Sequence, residues 1–277
     1  MQTKVSPVFQ VFERQHTEAK ALFLVLGKQI KSKKCIELLG KMEFLELYCK
    51  MLGKIHFEQE GLEFDIFSSF KRLEKYLRKV HHLKLVERNF LEQERKTKQS
   101  YKSYCQHLTK QKKKLYNDTF DLVVGSSLKN WEHLFIEALQ ASKGLKPLEI
   151  SSAIHQVINE ELGFLQLEMK ANLDSNALKE TFDALKTIIM LENLLIHLGF
   201  NPIFVESIHG EIKALKDSLK PWYSNQLSLQ SLTHFVAEKE APSQKYLDWI
   251  IELKSQKKVL FSQAEKQAHQ LFSKILV

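Results

Sequence analysis

The sequence predicts an all-α protein, and three observations support this class. Glycine and proline are scarce, with 9 and 5 residues among 277, which favours long helices over the many turns that short strands need. Apolar residues recur at helical spacing through most of the chain. No segment alternates apolar and polar residues over several positions, and no Asn-Gly or Asp-Gly hairpin turn occurs.

Apolar periodicity predicts about ten helices. In chain order they cover residues 8–30, 35–55, 62–86, 90–124, 128–139, 153–169, 178–198, 203–219, 227–236 and 246–276. The segment SKGLKPLEIS, which contains glycine and proline, separates the fifth helix from the sixth. It predicts a linker at 142–149 between an N-terminal half, 1–141, and a C-terminal half, 150–277.

The two halves contain similar leucine-rich helices. At a constant offset of 146 residues, the segment CIELLGKMEFLELYCKMLG at 35–53 aligns with TFDALKTIIMLENLLIHLG at 181–199. Leucines and one glutamate coincide, and both segments finish in glycine, at Gly53 and Gly199. Because glycine is the usual residue just after a helix, the alignment indicates a duplicated helical unit.

The net charge of +8 is concentrated in one region. Residues 71–114 contain 15 Lys and Arg against 4 Asp and Glu, a local balance of +11, and the rest of the chain is at −3. Two interpretations stay open. The lysines coat a solvated helix face, or they form the electrostatic footprint of a polyanion.

Cysteine content and hydropathy indicate a cytoplasmic protein. Three cysteines without a Cys-x-x-Cys pair suit a reducing compartment better than a disulfide framework. The longest early apolar run, 21–27, is too short to span a bilayer and follows charged residues, so we expect no membrane insertion and no signal peptide.

Motifs for catalysis are missing from the sequence. The chain has no phosphate-binding glycine loop, no dinucleotide fingerprint and no nucleophile elbow. Two Glu-x-x-His pairs, at Glu13 and Glu206, have the spacing that di-iron bundles use, but such pairs are common in a helical chain rich in glutamate and histidine. We therefore predict a protein without catalytic residues, metal or cofactor.

Four segments together resemble the conserved histidine α-helical domain (CHAD) family. They are the aligned helices at 35–53 and 181–199, the basic segment HHLKLVERNF at 81–90, and LKPWYSNQLSLQSL at 219–232. The resemblance covers nearly the whole chain. It implies a single domain of two similar helical bundles that binds inorganic polyphosphate through a basic central cavity.

The chain departs from the family where its signature helices carry His and Arg. Ile36 and Leu39 occupy these positions in the first helix, and Phe182 and Leu185 occupy them in the second, which keeps only Lys186 as a basic neighbour. Because these replacements are apolar, we expect them to fill the centre as core.

The segment around Pro221 raises a separate question. Proline ends or bends a helix, so we predict a helix boundary here. Trp222 would pack between the last helices, and Ser224 or Asn225 would cap the next helix. A direct ligand site is the alternative.

These observations predict a non-enzymatic protein that binds a polyanion, with inorganic polyphosphate as the first candidate, through a basic surface. The candidate anion-binding residues are Lys71, Arg72, Arg78, Lys84, Arg88, Lys110, Lys112, Lys113, Lys114 and Lys186. The alternative is a degenerate CHAD-like scaffold that has lost anion binding and acts in protein–protein interaction.

Overall fold

Nine α-helices and one 3-10 turn form the regular structure of the described residues. The computed structural model describes residues 6–60, 66–170 and 174–275, without the side chains of 58–60 and 168–170. The helices are α1 (Pro7–Leu26), α2 (Ser32–Glu60), α3 (Lys71–Thr97), α4 (Lys102–Gly125), α5 (Leu128–Ala141), α6 (Pro147–Lys170), α7 (Ser175–His197), α8 (Glu206–Ala237) and α9 (Gln244–Ile275), and the 3-10 turn is Ser68–Phe70. No strand occurs in these ranges, which confirms the predicted all-α class.

The chain divides into two compact units. The first combines Met1–Val80, Tyr116–Gly163 and Thr187–Val205, and the second combines His81–Leu115, Phe164–Lys186 and Glu206–Val277. Helices α3, α4, α6 and α7 therefore contribute residues to both units. The organisation into similar halves stays a prediction.

The core of the first unit is built around Trp131 on α5, which is fully buried. Its ring centroid lies 4.7 Å from that of Phe70 and 5.4 Å from that of Phe23. His16 Nε2 donates a hydrogen bond of 2.9 Å to the Trp131 carbonyl, and burial lowers the pKa of His16. Aromatic pairs of this kind each add about 0.5 to 1.5 kcal/mol beyond the burial of their area.

The second unit has an aromatic core of its own. Trp249 on α9 packs near Tyr104 on α4 and Phe90 on α3, with centroid separations of 5.7 and 6.5 Å. Tyr104 donates a hydrogen bond of 2.8 Å to Ser231 Oγ, and burial raises the pKa of Tyr104 to about 12. The buried phenol thus stays neutral and has its partner.

Glycine ends one helix of the aligned pair but not the other. Gly199 follows α7 with a positive φ of 81°, and Phe200 N–H bonds to the Leu195 carbonyl at 3.0 Å. This is the bond expected of a Schellman cap. Gly53 lies inside α2, which continues to Glu60. This agrees with the predicted helix at 35–55, but Gly53 does not end its helix as the alignment with Gly199 suggests.

The predicted segment 90–124 is not one helix. The chain leaves helix after α3, where Lys98 has a positive φ of 55°, and α4 begins at Lys102. Between them, Tyr101 N–H bonds to Glu94 Oε1 at 3.2 Å and the Tyr101 ring is buried in the second unit. The helix therefore breaks between α3 and α4, where the ring is buried, although this stretch contains no proline or glycine. The predicted limits at positions 62 and 276 lie outside the described residues.

The predicted helix boundary at Pro221 is also wrong. Helix α8 runs through this residue without interruption. Trp222 is fully buried, as expected, but Ser224 and Asn225 are buried in mid-helix and cap nothing. Ser224 Oγ bonds to Asn89 on α3 and Asn225 to the Leu253 carbonyl on α9, so tertiary contacts hold the helix on both sides of the proline.

Two further predictions are that no helix spans a membrane and that a linker lies at 142–149. Among the described helices, none has both the length and the apolar character required to cross a bilayer. Helix α5 ends at Ala141 and α6 begins at Pro147, so the chain leaves helix within the predicted linker segment 142–149.

Candidate anion-binding site

Two candidate residues of α3, Lys71 and Arg78, form ion pairs with carboxylates of the first unit. Lys71 Nζ forms an ion pair with Glu46 on α2. Arg78 Nη2 lies 2.5 Å from Glu74 Oε1 and 3.6 Å from Glu43 Oε1. These pairs neutralise part of the positive charge that the sequence concentrates here, so a ligand would have to displace them.

The other candidate residues of α3, which are Arg72, Lys84 and Arg88, are exposed. Arg88 Nε is 3.8 Å from Glu92 Oε1, and both side chains are more than half exposed. An exposed pair one turn apart on a helix contributes only about 0.3 to 0.5 kcal/mol. The Arg88 guanidinium is therefore readily available to another anion.

The basic residues of α4 form a row on an exposed helix face. Lys110, Lys113 and Lys114 are exposed, and this part of the helix contains no acidic residue. Lys112 differs, because its Nζ is 2.8 Å from Glu87 Oε1 on α3. These lysines therefore present positive charge on an open surface, as expected for a solvated helix face.

A second group of lysines is formed by α7 and α8. Lys213, Lys216 and Lys220 occupy positions i, i+3 and i+7 of α8, which lie on one helix face. Lys186 on α7 acts electrostatically on Lys216, so charges of two helices converge. These four residues are called the lysine cluster below.

An aromatic contact joins the two helices beside the lysine cluster. The rings of Phe182 on α7 and Tyr223 on α8 stack with centroids 5.6 Å apart. Tyr223 Oη also lies 2.7 Å from Nε2 of His82 on α3. Phe182 is one turn before Lys186 on α7 and Tyr223 is three residues after Lys220 on α8, so each ring lies on the same helix face as one of these lysines.

The charges within the lysine cluster disfavour one another. Burial lowers the pKa of the Lys216 ammonium, and the other three members lower it further, Lys220 most. Asp217 opposes this effect. Its Oδ1 lies 2.7 Å from Lys220 Nζ, and this hydrogen bond lowers the pKa of the Asp217 carboxyl. Asp217 thus offsets part of the charge that acts on Lys216, and a bound anion would stabilise the charged form further.

The apolar residues at the signature positions are not all core. Leu39 and Leu185 are buried, with 3% and 1% of their surface exposed, as expected. Ile36 and Phe182 are only half-buried. The expectation that all four residues are fully buried is therefore wrong for two of them, and Phe182 instead borders the lysine cluster.

The candidate residues proposed from the sequence include Lys186 but not the other three lysines of the cluster. Counting charges along the chain favours a contiguous block, whereas Lys213 and Lys216 are interspersed with Glu211 and Asp217. The i, i+3, i+7 spacing on one helix is the signal that identifies them. Their convergence with α7 requires the fold.

In the segments that the structure describes, no group of three or more His, Cys, Asp or Glu is placed to hold a metal ion. No family model, curated protein or solved structure matches this chain. The CHAD resemblance therefore stays a prediction based on the sequence.

Proposed function

We propose that this protein binds a polyanion, with inorganic polyphosphate as the first ligand to test, and that the lysine cluster is the principal site. The observation that carries the proposal is the convergence of Lys186 with Lys213, Lys216 and Lys220 around a partly buried ammonium. The proposed activity is binding without turnover.

Electrostatics favours this site over the basic segment 71–114. Converging ammonium groups raise the local potential more than the same charges spread along one helix. Each phosphate they neutralise also releases counterions, which drives binding at low salt. In segment 71–114, Lys71, Arg78 and Lys112 bond to carboxylates, and in the lysine cluster Lys220 bonds to Asp217. Ion pairing therefore occurs in both places, and convergence of charge is what favours the cluster over the exposed row on α4.

Matched pairs of charge removals test the site. Binding of long-chain polyphosphate is measured at fixed low salt for the wild type and three variants, each with two lysines one turn apart replaced by glutamine. Lys216→Gln/Lys220→Gln removes half of the cluster, Lys110→Gln/Lys114→Gln thins the row on α4, and Lys254→Gln/Lys258→Gln removes two exposed charges from α9.

The cluster pair should weaken binding by at least about ten-fold, because charge-assisted contacts are each worth about 1.5 to 3 kcal/mol. The α9 pair should have a much smaller effect. Equal losses from all three pairs would indicate nonspecific attraction to a basic protein. No binding at low salt would eliminate the polyanion proposal and leave the protein-interaction scaffold.

A further inference from the structure

A cavity of about 490 Å³ lies among α3, α8 and α9 in the second unit. Its size is within the range of about 300 to 1,000 Å³ that is usual for small-molecule sites. Lys220 and Pro221 of α8 are among the residues that line it. The cavity thus shares Lys220 with the lysine cluster.

The wall of the cavity includes a fixed polar network. Asn89 receives a hydrogen bond of 3.1 Å from Ser224 Oγ and donates one of 2.9 Å to Ser228 Oγ. Asn225 Nδ2 donates to the Leu253 carbonyl at 2.9 Å. Ser224, Ser228 and Asn225 are buried, so the positions of these groups are set before any ligand arrives.

Two amide oxygens on the wall are left for a ligand. Gln93 Nε2 donates to the Glu252 carboxylate at 2.9 Å, and Asn225 donates to a carbonyl. Because both partners accept hydrogen bonds only, the amide nitrogens must face them. Gln93 Oε1 and Asn225 Oδ1 make no hydrogen bond to another described residue. Both residues line the cavity and are more than nine-tenths buried.

Charged groups on the wall are of both signs. Arg88, Lys96 and Lys220 supply positive charge, with Lys96 paired to Glu252, and Glu92 and Asp217 supply carboxylates. A bare phosphate chain would be attracted to the cations but repelled by the carboxylates. A ligand that also carries hydroxyl or amino groups would donate hydrogen bonds to the carboxylates and to the two amide oxygens.

We propose that this cavity binds a small organic phosphate whose neutral part carries hydroxyl or amino groups, as a nucleotide does. Arg88 and Lys220 bind the phosphate, and the amide oxygens of Gln93 and Asn225 accept hydrogen bonds from the neutral part. Pro221 provides an apolar surface at the wall. The inference rests on the proposed function only through Lys220, which both sites share.

Calorimetric titration of the full chain with three probes tests this site: ADP, inorganic pyrophosphate and adenosine. ADP should bind at least about ten-fold more tightly than either fragment, because only ADP uses both the cations and the amide oxygens. Arg88→Gln should lower ADP affinity by about ten-fold. Leu260→Trp, which fills part of the cavity without changing a charge, should do the same.

A variant of the lysine cluster separates this inference from the proposed function. Lys213 does not line the cavity, so Lys213→Gln should weaken polyphosphate binding and leave ADP binding unchanged. If pyrophosphate binds as well as ADP and Arg88→Gln has no effect, the cavity proposal is wrong while polyanion binding still stands. If ADP binds as expected but polyphosphate does not, the reverse holds. Circular dichroism confirms that each variant is folded, and exposed Arg88 keeps the test valid if Leu260→Trp does not fold.

Discussion

Lys216 is the residue whose protonation is most closely tied to the proposed site. Burial and three neighbouring lysines lower its pKa from the ordinary value of 10.5. A phosphate placed beside it would favour the charged form and raise this pKa. Between the two pKa values the free protein binds fewer protons than the complex, so binding takes up protons there, and affinity falls as pH rises through that interval.

Proton uptake is measurable by titrating polyphosphate into the protein at alkaline pH below 10.5, in two buffers that differ in ionisation enthalpy. The apparent binding enthalpies should differ between buffers for the wild type. Lys216→Gln should remove most of the difference, whereas Lys254→Gln, at an exposed position on α9, should keep it. Identical proton uptake in both variants would contradict the assignment to Lys216.

At the scale of the helix, α8 shows how packing outweighs the helix-breaking effect of proline. Pro221 has no N–H for the carbonyl of Asp217, and proline inside a helix costs about 3 kcal/mol or more. The helix continues because Leu219 and Trp222, on either side of the proline, are fully buried and Asn225 bonds to α9. Packing of the flanking residues stabilises α8 enough to retain the proline.

Replacing this proline is therefore expected to stabilise the protein. Pro221 is exposed, so Pro221→Ala loses little packing, regains a helix hydrogen bond and gives up only about 0.4 to 1 kcal/mol of chain restriction in the unfolded state. The free energy of unfolding in urea should rise by about 1 to 3 kcal/mol. Pro147→Ala is the matched control, because proline is favourable at the first position of a helix and Pro147 begins α6. A loss of stability in Pro221→Ala would show that the ring itself is needed.

The helices illustrate how much the sequence predicts. Apolar periodicity identified the class and most helices, since it reflects burial along one face. It did not predict helix limits that long-range contacts determine. These are the continuous helix at Pro221 and the break beside Tyr101, whose ring is buried in the second unit. The sequence did not predict the lysine cluster for the same reason, because Lys186 and Lys216 are 30 positions apart. The cavity among α3, α8 and α9 has no sequence signature of its own.

For the whole molecule, a net charge of +8 attracts any polyanion to some extent. The question is how many charges a ligand contacts, and the dependence of affinity on salt measures this number. For a single-stranded polyanion, the slope of log K against log salt is about −0.7 for each neutralised phosphate. Occupation of the lysine cluster alone predicts a slope of about −3, and inclusion of the three exposed lysines of α4 predicts about −5.

The slopes of two variants distinguish these cases. If the cluster alone binds polyphosphate, Lys216→Gln/Lys220→Gln should reduce the slope by about half, because two of four contacts are lost. The triple variant Lys110→Gln/Lys113→Gln/Lys114→Gln should keep the wild-type slope, since those side chains lie on an exposed face of α4. A wild-type slope near −5 that falls to about −3 in the triple variant would place part of the ligand on α4. The cluster would then be one portion of a longer binding surface, and the basic segment first identified by charge would supply the remainder.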